Sequence, residues 1–219
     1  MDLTFTEENY LKAILKLSLS QDKTVSTNEI AAHLRTTAAS VTDMLKKLSE
    51  KELIHYQRYR GVWLTEEGNK IATQIVRRHR LWEVFLGESL GMKWDEIHDI
   101  AEELEHIKSD LLVDRLDSFL GSPKFDPHGD PIPNAQGKYT LRAQLPLTEL
   151  QPGQSGLIIG VRESDPPFLK HLTEKGISIG KNATLLNRDH FDQSINITID
   201  NEQLSISGKV AQNILIKIV

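Results

Sequence analysis

The chain has 219 residues, a formal net charge of −5 and 39% hydrophobic residues, enough for one large domain or two to three small ones with proper cores. It has no cysteine, which excludes disulfides and thiolate metal sites. The N-terminus MDLTFTEENY is acidic and polar, unlike a signal peptide, and no apolar run approaches a membrane span. A cytoplasmic location without membrane partners is the expectation.

Charge is unevenly distributed. Residues 35–60 hold six Lys/Arg (Arg35, Lys46, Lys47, Lys51, Arg58, Arg60) against Asp43, Glu50 and Glu52. Residues 93–130 hold four bases against eleven acids. The two stretches point to different partners.

In chain order, apolar residues at Tyr10, Leu11, Ile14 and Leu15 predict a helix from Thr6, as N-cap, to about Leu19. Ser26 with Glu29 forms a capping box and opens a second helix through Ile30, Ala31 and Leu34. After the polar turn RTT, a third helix places Val41, Met44, Leu45 and Leu48 on one face. LIHYQRYRGVWLT alternates around a glycine and reads as a β-hairpin. A long helix follows and closes at Gly91, then helices from Trp94 to about Lys108 and from Ser109 to Leu120. GSPKFDPHGDPIPNAQGK is a linker by its Pro and Gly content. Beyond it, GLIIGV, ATLLN, SINITID, QLSISG and ILIKIV are short strands, and PPFLKHLTEKG is one helix, which predicts a small barrel-like β domain. The fold class is α+β and multidomain: residues 1–73 a domain of helices and a hairpin, 74–122 a helical domain, 123–140 a linker, 141–219 the β domain.

Helix, turn, helix and hairpin in that order form a winged helix-turn-helix. With the apolar face of the third helix turned inward, Thr37, Ala39, Ser40, Asp43, Lys46 and Lys47 are left outward, all but Asp43 small or basic where a recognition helix meets double-stranded DNA; Asp43 suits a cytosine amino group or is a plain helix charge. Arg35 at the turn and Arg58 and Arg60 on the hairpin suit phosphates or the minor groove. Any single Lys or Thr here reads first as a solvated surface group; the ordered combination carries the DNA expectation.

The acidic segment HDIAEELEHIKSD raises a second possibility. At about 100° per residue, His98, Glu102, Glu105 and His106 share one stripe, opposite Ile100, Leu104, Ile107 and Leu111. His79 and Glu83, four apart on the preceding helix, share another face. Oxygen and imidazole donors without thiolate suit Mn2+, Fe2+ or Zn2+. The bland alternative is a solvated acidic face. A third group, Asp126 and His128, lies in the linker, where a turn Asp and an exposed His are an equal reading.

These residues carry a resemblance. VSTNEIAAHLRTTAASVTDMLKKLSEKELI, YRGVWLTEEGNKIA, RRHRLWEVFLGESLG, IHDIAEELEHIKSD and SPKFDPHGDPIP resemble the diphtheria toxin repressor family of metal-dependent bacterial transcription regulators. The likeness is nearest to the manganese-responsive branch with a C-terminal SH3-like, FeoA-type domain. It implies a primary site of Glu102, Glu105 and His106 with a first-helix donor, a second site of His79, Glu83 and His98, and a further site of Asp126, His128 and Glu163 or Asp165. Iron-type members have Cys at the Glu102 position, so Glu102 favours Mn2+ over Fe2+, with Zn2+, Co2+ or Cd2+ as substitutes. The first-helix donor, Asp in manganese-type and Met in iron-type members, is Asn9 here; Lys12 stands where some two-domain relatives have Glu, and Glu7 or Glu8 offers a replacement. The implied function is a homodimeric repressor, joined through Leu111, Leu112, Leu116 and Phe119, that binds palindromic operators of metal-homeostasis genes. The alternatives are a winged-helix regulator answering an organic ligand, or a carboxylate/His metalloenzyme. Against the latter, Glu103-x-x-His106 has no second such pair, and no His-Glu-x-x-His is present.

Overall fold

The computed structural model describes residues 2–21, 24–57, 60–189 and 191–218, apart from the side chains of Ser20 and Gln21. The chain divides into two compact units. One comprises Met1–His79, Glu102–Asp114 and Pro133–Lys138; the other comprises Arg80–Ala101, Arg115–Ile132 and Tyr139–Val219. The helical segment 74–122 is thus shared between them. Among the described residues, no helix is long and apolar enough to cross a membrane.

The first unit begins with α1 (Phe5–Gln21), α2 (Thr27–His33) and α3 (Ala38–Glu50). The cap of α1 is two residues earlier than the sequence suggests. Thr4 Oγ1 accepts from Glu7 N at 3.3 Å and Glu7 Oε2 accepts from Thr4 N at 2.9 Å, a reciprocal capping box in place of a Thr6 cap. The Ser26–Glu29 box is present at α2. The α2–α3 turn closes with Thr36 N on Ala31 O and Arg35 N on Ala32 O, which puts Arg35 in the left-handed region at φ 51°. The hairpin is β1 (Ile54–Gln57) with β2 (Gly61–Leu64), antiparallel, and Val25 adds a bridge to Val62. Leu11 and Ile14 of α1, Ile30 of α2, and Val41, Leu45 and Leu48 of α3 are fully buried in one cluster, with Met44 at its edge. Helix α4 (Glu66–Val84) enters this unit at Gly68, where a Cβ would lie 1.9 Å from Leu53 O; only a bare backbone fits there.

After α4 the chain adds a π-helical turn, Phe85–Ser89, and stops at Gly91 with φ 68°. Helix α5 (Ile97–Leu104) is shorter than the sequence suggests, because Ile107 N bonds Leu104 O and winds residues 105 and 106 into a turn. Glu105 and His106 therefore leave the helical stripe calculated at 100° per residue. Helix α6 (Asp110–Phe119) follows, with Leu111 and Phe119 each 70% exposed, Leu112 partly exposed and Leu116 buried.

The C-terminal part of the second unit is an antiparallel sheet in the order β3-β8-β4-β5-β6-β7. Its strands are β3 (Leu145–Pro146), β4 (Ser155–Val161), β5 (Asn182–Arg188), β6 (Ile195–Ile199), β7 (Glu202–Ile206) and β8 (Ile214–Ile218). Helix α7 (Pro166–Glu174) and the short α8 (Gly208–Asn213), not foreseen from sequence, cover a core of Leu147, Ile158, Leu169, Leu172, Leu185, Ile197 and Ile214. The barrel is open: among the described residues the edge strands β3 and β7 are not paired with each other.

Candidate DNA-reading surface and metal centres

The residues expected to meet DNA are solvent-facing. Arg35, Thr37, Ala39, Ser40, Asp43, Lys46, Lys47 and Arg60 are all exposed; Arg58 lies outside the described residues. Their roles are not equivalent. Thr37 is the N-cap of α3, accepting from Ser40 N at 3.2 Å, and its hydroxyl also meets Ser40 Oγ at 2.9 Å. Both hydroxyls therefore hold the helix start as well as facing outward. Lys46 pairs with Asp43 at 3.1 Å, an exposed contact of small energetic weight that a phosphate can displace.

In the first unit, α1, the end of α4 and the turn after α5 bring a dense set of charges together. Glu105 is fully buried. Its carboxylate lies 2.6 Å from His79 Nδ1 and 2.7 Å from Lys12 Nζ, and Lys12 also reaches Glu102 Oε1 at 3.2 Å. Burial alone would push the Glu105 carboxyl up; the hydrogen bond from His79 and the Lys12 charge outweigh it and bring the pKa below its ordinary value. His106 does not face Glu105. Its Nδ1 is 2.6 Å from Glu8 Oε2, and its ring stacks on Phe5 with centroids 4.3 Å apart. Glu8 is itself buried and also meets Lys108 at 3.3 Å and Arg78 at 3.8 Å. Asn9, one residue along α1, has a buried Oδ1 with no hydrogen-bond partner among the described residues. An unmatched buried carbonyl is costly unless something binds it.

The expected primary donors are thus neighbours in one unit but are divided between two sub-clusters, Glu102 and Glu105 with Lys12 and His79, and His106 with Glu8. Sequence periodicity gave Glu8 no priority, because on α1 it reads as an ordinary first-turn acid. The partner that makes it conspicuous is 98 residues away.

The second unit holds a tighter group. Glu83, Asp126 and His128 are all buried and each offers a ligand atom within 4.8 Å of the others. His98 Nδ1 lies 3.2 Å from Glu83 Oε1, and His128 Nδ1 lies 3.5 Å from the same oxygen. So Glu83, expected with His79 and His98, is also the companion of Asp126 and His128. Asp126 Oδ1 accepts from the backbone N–H groups of His128 (2.9 Å) and Asp130 (3.0 Å), an Asx-type turn that aims its other oxygen toward Arg80 Nε at 3.4 Å. His128 Nε2 is 2.9 Å from Trp94 O, and the Trp94 ring stacks beside the imidazole at 6.4 Å. This contact to a carbonyl makes Nε2 the protonated nitrogen and leaves Nδ1 to face Glu83. Burial, then the Glu83 charge, raises the Asp126 pKa to about 7. For His128 burial acts the other way, yet Glu83 and Asp126 raise its pKa to about 9. Both shifts describe surplus negative charge in a buried space.

The loop that carries these ligands is stitched to strand β4. Val161 N bonds His128 O at 2.9 Å, Arg142 donates to Gly129 O at 2.7 Å and also to Ile159 O, and Gly129 at φ 89° leaves no room for a Cβ, which would sit 2.2 Å from Ile159 O. Glu163 is exposed beside an open hollow lined also by Asp165, Phe168 and His171; among the described residues it does not join the Glu83 group.

A divalent cation fits what is present: carboxylate and imidazole donors throughout, an unmatched buried amide oxygen on α1, and raised pKa values around Glu83.

Comparison with known proteins gives three family profiles along the chain. Residues 2–62 match "Iron dependent repressor, N-terminal DNA binding domain", residues 65–134 match "Iron dependent repressor, metal binding and dimerisation domain", and residues 145–218 match the FeoA domain. The diphtheria toxin repressor of Corynebacterium glutamicum is 28% identical over 196 residues, 85% of this chain and 86% of that protein. A solved manganese-dependent transcriptional repressor in complex with manganese superposes with a TM-score of 0.86 at 36% identity, over 97% of this chain and 100% of that one. The manganese regulator SloR superposes at 0.76 and 35% identity, over 97% and 98% of the two chains.

Proposed function

Because this chain belongs to the diphtheria toxin repressor family, and so is a metal-responsive, DNA-binding and dimerising transcriptional repressor rather than an enzyme, we propose that Mn2+ is the ion to which it responds. Glu102 supplies oxygen where a softer ligand would favour iron, and every other donor is oxygen or imidazole. The manganese dependence of the solved relatives supports the same choice. The first centre draws on Glu102, Glu105 and His106 with Asn9 Oδ1 and Glu8 from α1. The second draws on Glu83, Asp126 and His128, with His98 beside them.

A bound divalent ion supplies positive charge and coordination; no bond of the protein is made or broken. What the residues do follows from where they are anchored. Glu8 and Asn9 sit on α1, which packs against α2 and the wing strand β2. Glu105 and His106 sit on the turn after α5. Drawing both sets onto one cation fixes α1, and through it the placement of α3, the helix that reads DNA. Two such units in a dimer, joined through the exposed Leu111, Leu112 and Phe119, would address a palindromic operator of metal-homeostasis genes in successive major grooves. Metal and operator then strengthen each other's binding, typically by about 1–3 kcal/mol.

The observation that carries this reading is the buried, unmatched Asn9 oxygen beside Glu8 on the helix that packs under the DNA-reading elements. The test is operator binding in Mn2+, in Fe2+ and in chelator. Tightest binding in Mn2+ is expected; equal affinity in chelator and in metal would sink it.

A further inference from the structure

The first centre contains a positive charge of its own. Lys12 Nζ lies 2.7 and 2.8 Å from the two oxygens of Glu105 and 3.2 Å from Glu102 Oε1, three carboxylate oxygens around one ammonium. Its side chain is only 15% exposed and that of Glu105 is fully buried, so this pair is poorly screened. Both carboxylates are among those assigned above to the first ion. Lys12 also stands one helical turn after Asn9, so α1 presents an uncharged amide and a cation toward the acids.

We propose that Lys12 is an internal competitor for the first metal centre: its ammonium and a divalent ion contend for the same oxygens of Glu105 and Glu102, and the side chain must withdraw before the ion is fully coordinated. This rests on the reading of the first centre given above. The argument is one of charge. Glu102 and Glu105 together bring two negative charges and Asn9 adds none, while the third carboxylate of the centre, Glu8, is already met by Lys108 at 3.3 Å and Arg78 at 3.8 Å. An ammonium and a divalent ion on that pair would place three positive charges against two negative around the buried Glu105 carboxylate, where mutual repulsion is less screened than in water. One cation therefore excludes the other. Lys12 also has a route out: it is the fourth residue of the turn that begins at Asn9, its stem is flexible, and its head is not wholly enclosed. The consequence is a higher threshold. The protein ignores low ion concentrations because its own lysine already neutralises the acids, and it responds once the ion outcompetes that lysine.

The experiment measures Mn2+ binding to the full-length protein by the EPR signal of free Mn2+, in wild type, Lys12→Met, Lys12→Gln and Glu105→Gln. Thermal melting of each is recorded in chelator and in excess Mn2+. Both Lys12 variants should bind one class of Mn2+ about tenfold more tightly, the effect of releasing one part-buried ion pair. They should melt lower than wild type in chelator and recover in Mn2+. Unchanged or weaker Mn2+ binding in both Lys12 variants, with Glu105→Gln losing one ion, overturns the competition and leaves the site reading standing. If Glu105→Gln binds as many ions as wild type, the site reading itself fails and the competition falls with it.

Discussion

At the scale of single residues, two substitutions test the centres directly. Asn9 places an uncharged oxygen where a carboxylate would strengthen the field on a cation. Asn9→Asp should raise Mn2+ affinity at the first centre about tenfold, roughly the 1.4 kcal/mol of one added charge contact. An isothermal titration showing no change would remove Asn9 from the ligand set. The second centre predicts a pH dependence. Asp126 and His128 both titrate above their unfolded values, at about 7 against 3.8 and about 9 against 6.5. Each proton thus favours the folded state, fully below the unfolded pKa, and that contribution fades as pH rises through about 7 for Asp126 and about 9 for His128. In chelator, melting should fall between about pH 4 and pH 9, and Asp126→Asn should flatten the part of that fall below about pH 7. Binding an ion needs both groups deprotonated, so apparent Mn2+ affinity at this centre should rise over the same interval. A pH-independent affinity would count against His128 as a ligand.

At the scale of elements, the caps and close approaches set the energetics. Thr4→Ala removes the side chain that accepts from Glu7 N and should cost about 1 kcal/mol in urea denaturation. Gly68→Ala should cost more, about 1–3 kcal/mol, because its Cβ would meet the Leu53 carbonyl and α4 would have to move. The elements themselves were largely legible in the sequence. Apolar spacing located α1 to α4, the Ser26–Glu29 pair marked the start of α2, and the turn residues separated the strands. Two features were not legible. The shortening of α5 depends on an i→i+3 bond at Leu104, which periodicity cannot foresee, and it moved Glu105 and His106 off their calculated stripe. The pairings of Glu8 with His106 and of Lys12 with Glu105 span more than 90 residues of sequence, so local patterns could flag the acids but could not assign their partners. Asp126 and His128 looked like turn residues, and they are; their burial against Glu83 comes from the stitching of their loop to β4.

At the scale of the whole molecule, the net charge of −5 leaves DNA binding to a local basic surface. Lys47 and Arg60 are exposed on α3 and beside the wing, and Lys46 is held by an exposed pairing with Asp43. Each phosphate contact contributes about one counterion to the salt dependence of binding. In a dimer every substitution counts twice, so Lys47→Ala or Arg60→Ala should lower the slope of log affinity against log salt by about 2 and weaken binding across sequences alike. A slope unchanged by both would place the phosphate contacts elsewhere. Leu111→Glu or Phe119→Glu should shift the protein toward monomer in analytical ultracentrifugation, since these apolar side chains stand 70% exposed on α6.

Trp94 gives the second centre a reporter of its own. The ring stacks beside His128, its backbone carbonyl meets the same imidazole, and its indole N–H is tied to Thr173 Oγ1 at 2.8 Å on α7. Only Trp63 and Trp82 share the emission band. A protonated imidazole quenches a neighbouring indole, and a paramagnetic ion at close range quenches it further. The natural fluorescence of this protein should therefore read the occupancy of Glu83, Asp126 and His128 without any label. In Trp94→Phe that optical signal should vanish while the ion count stays the same.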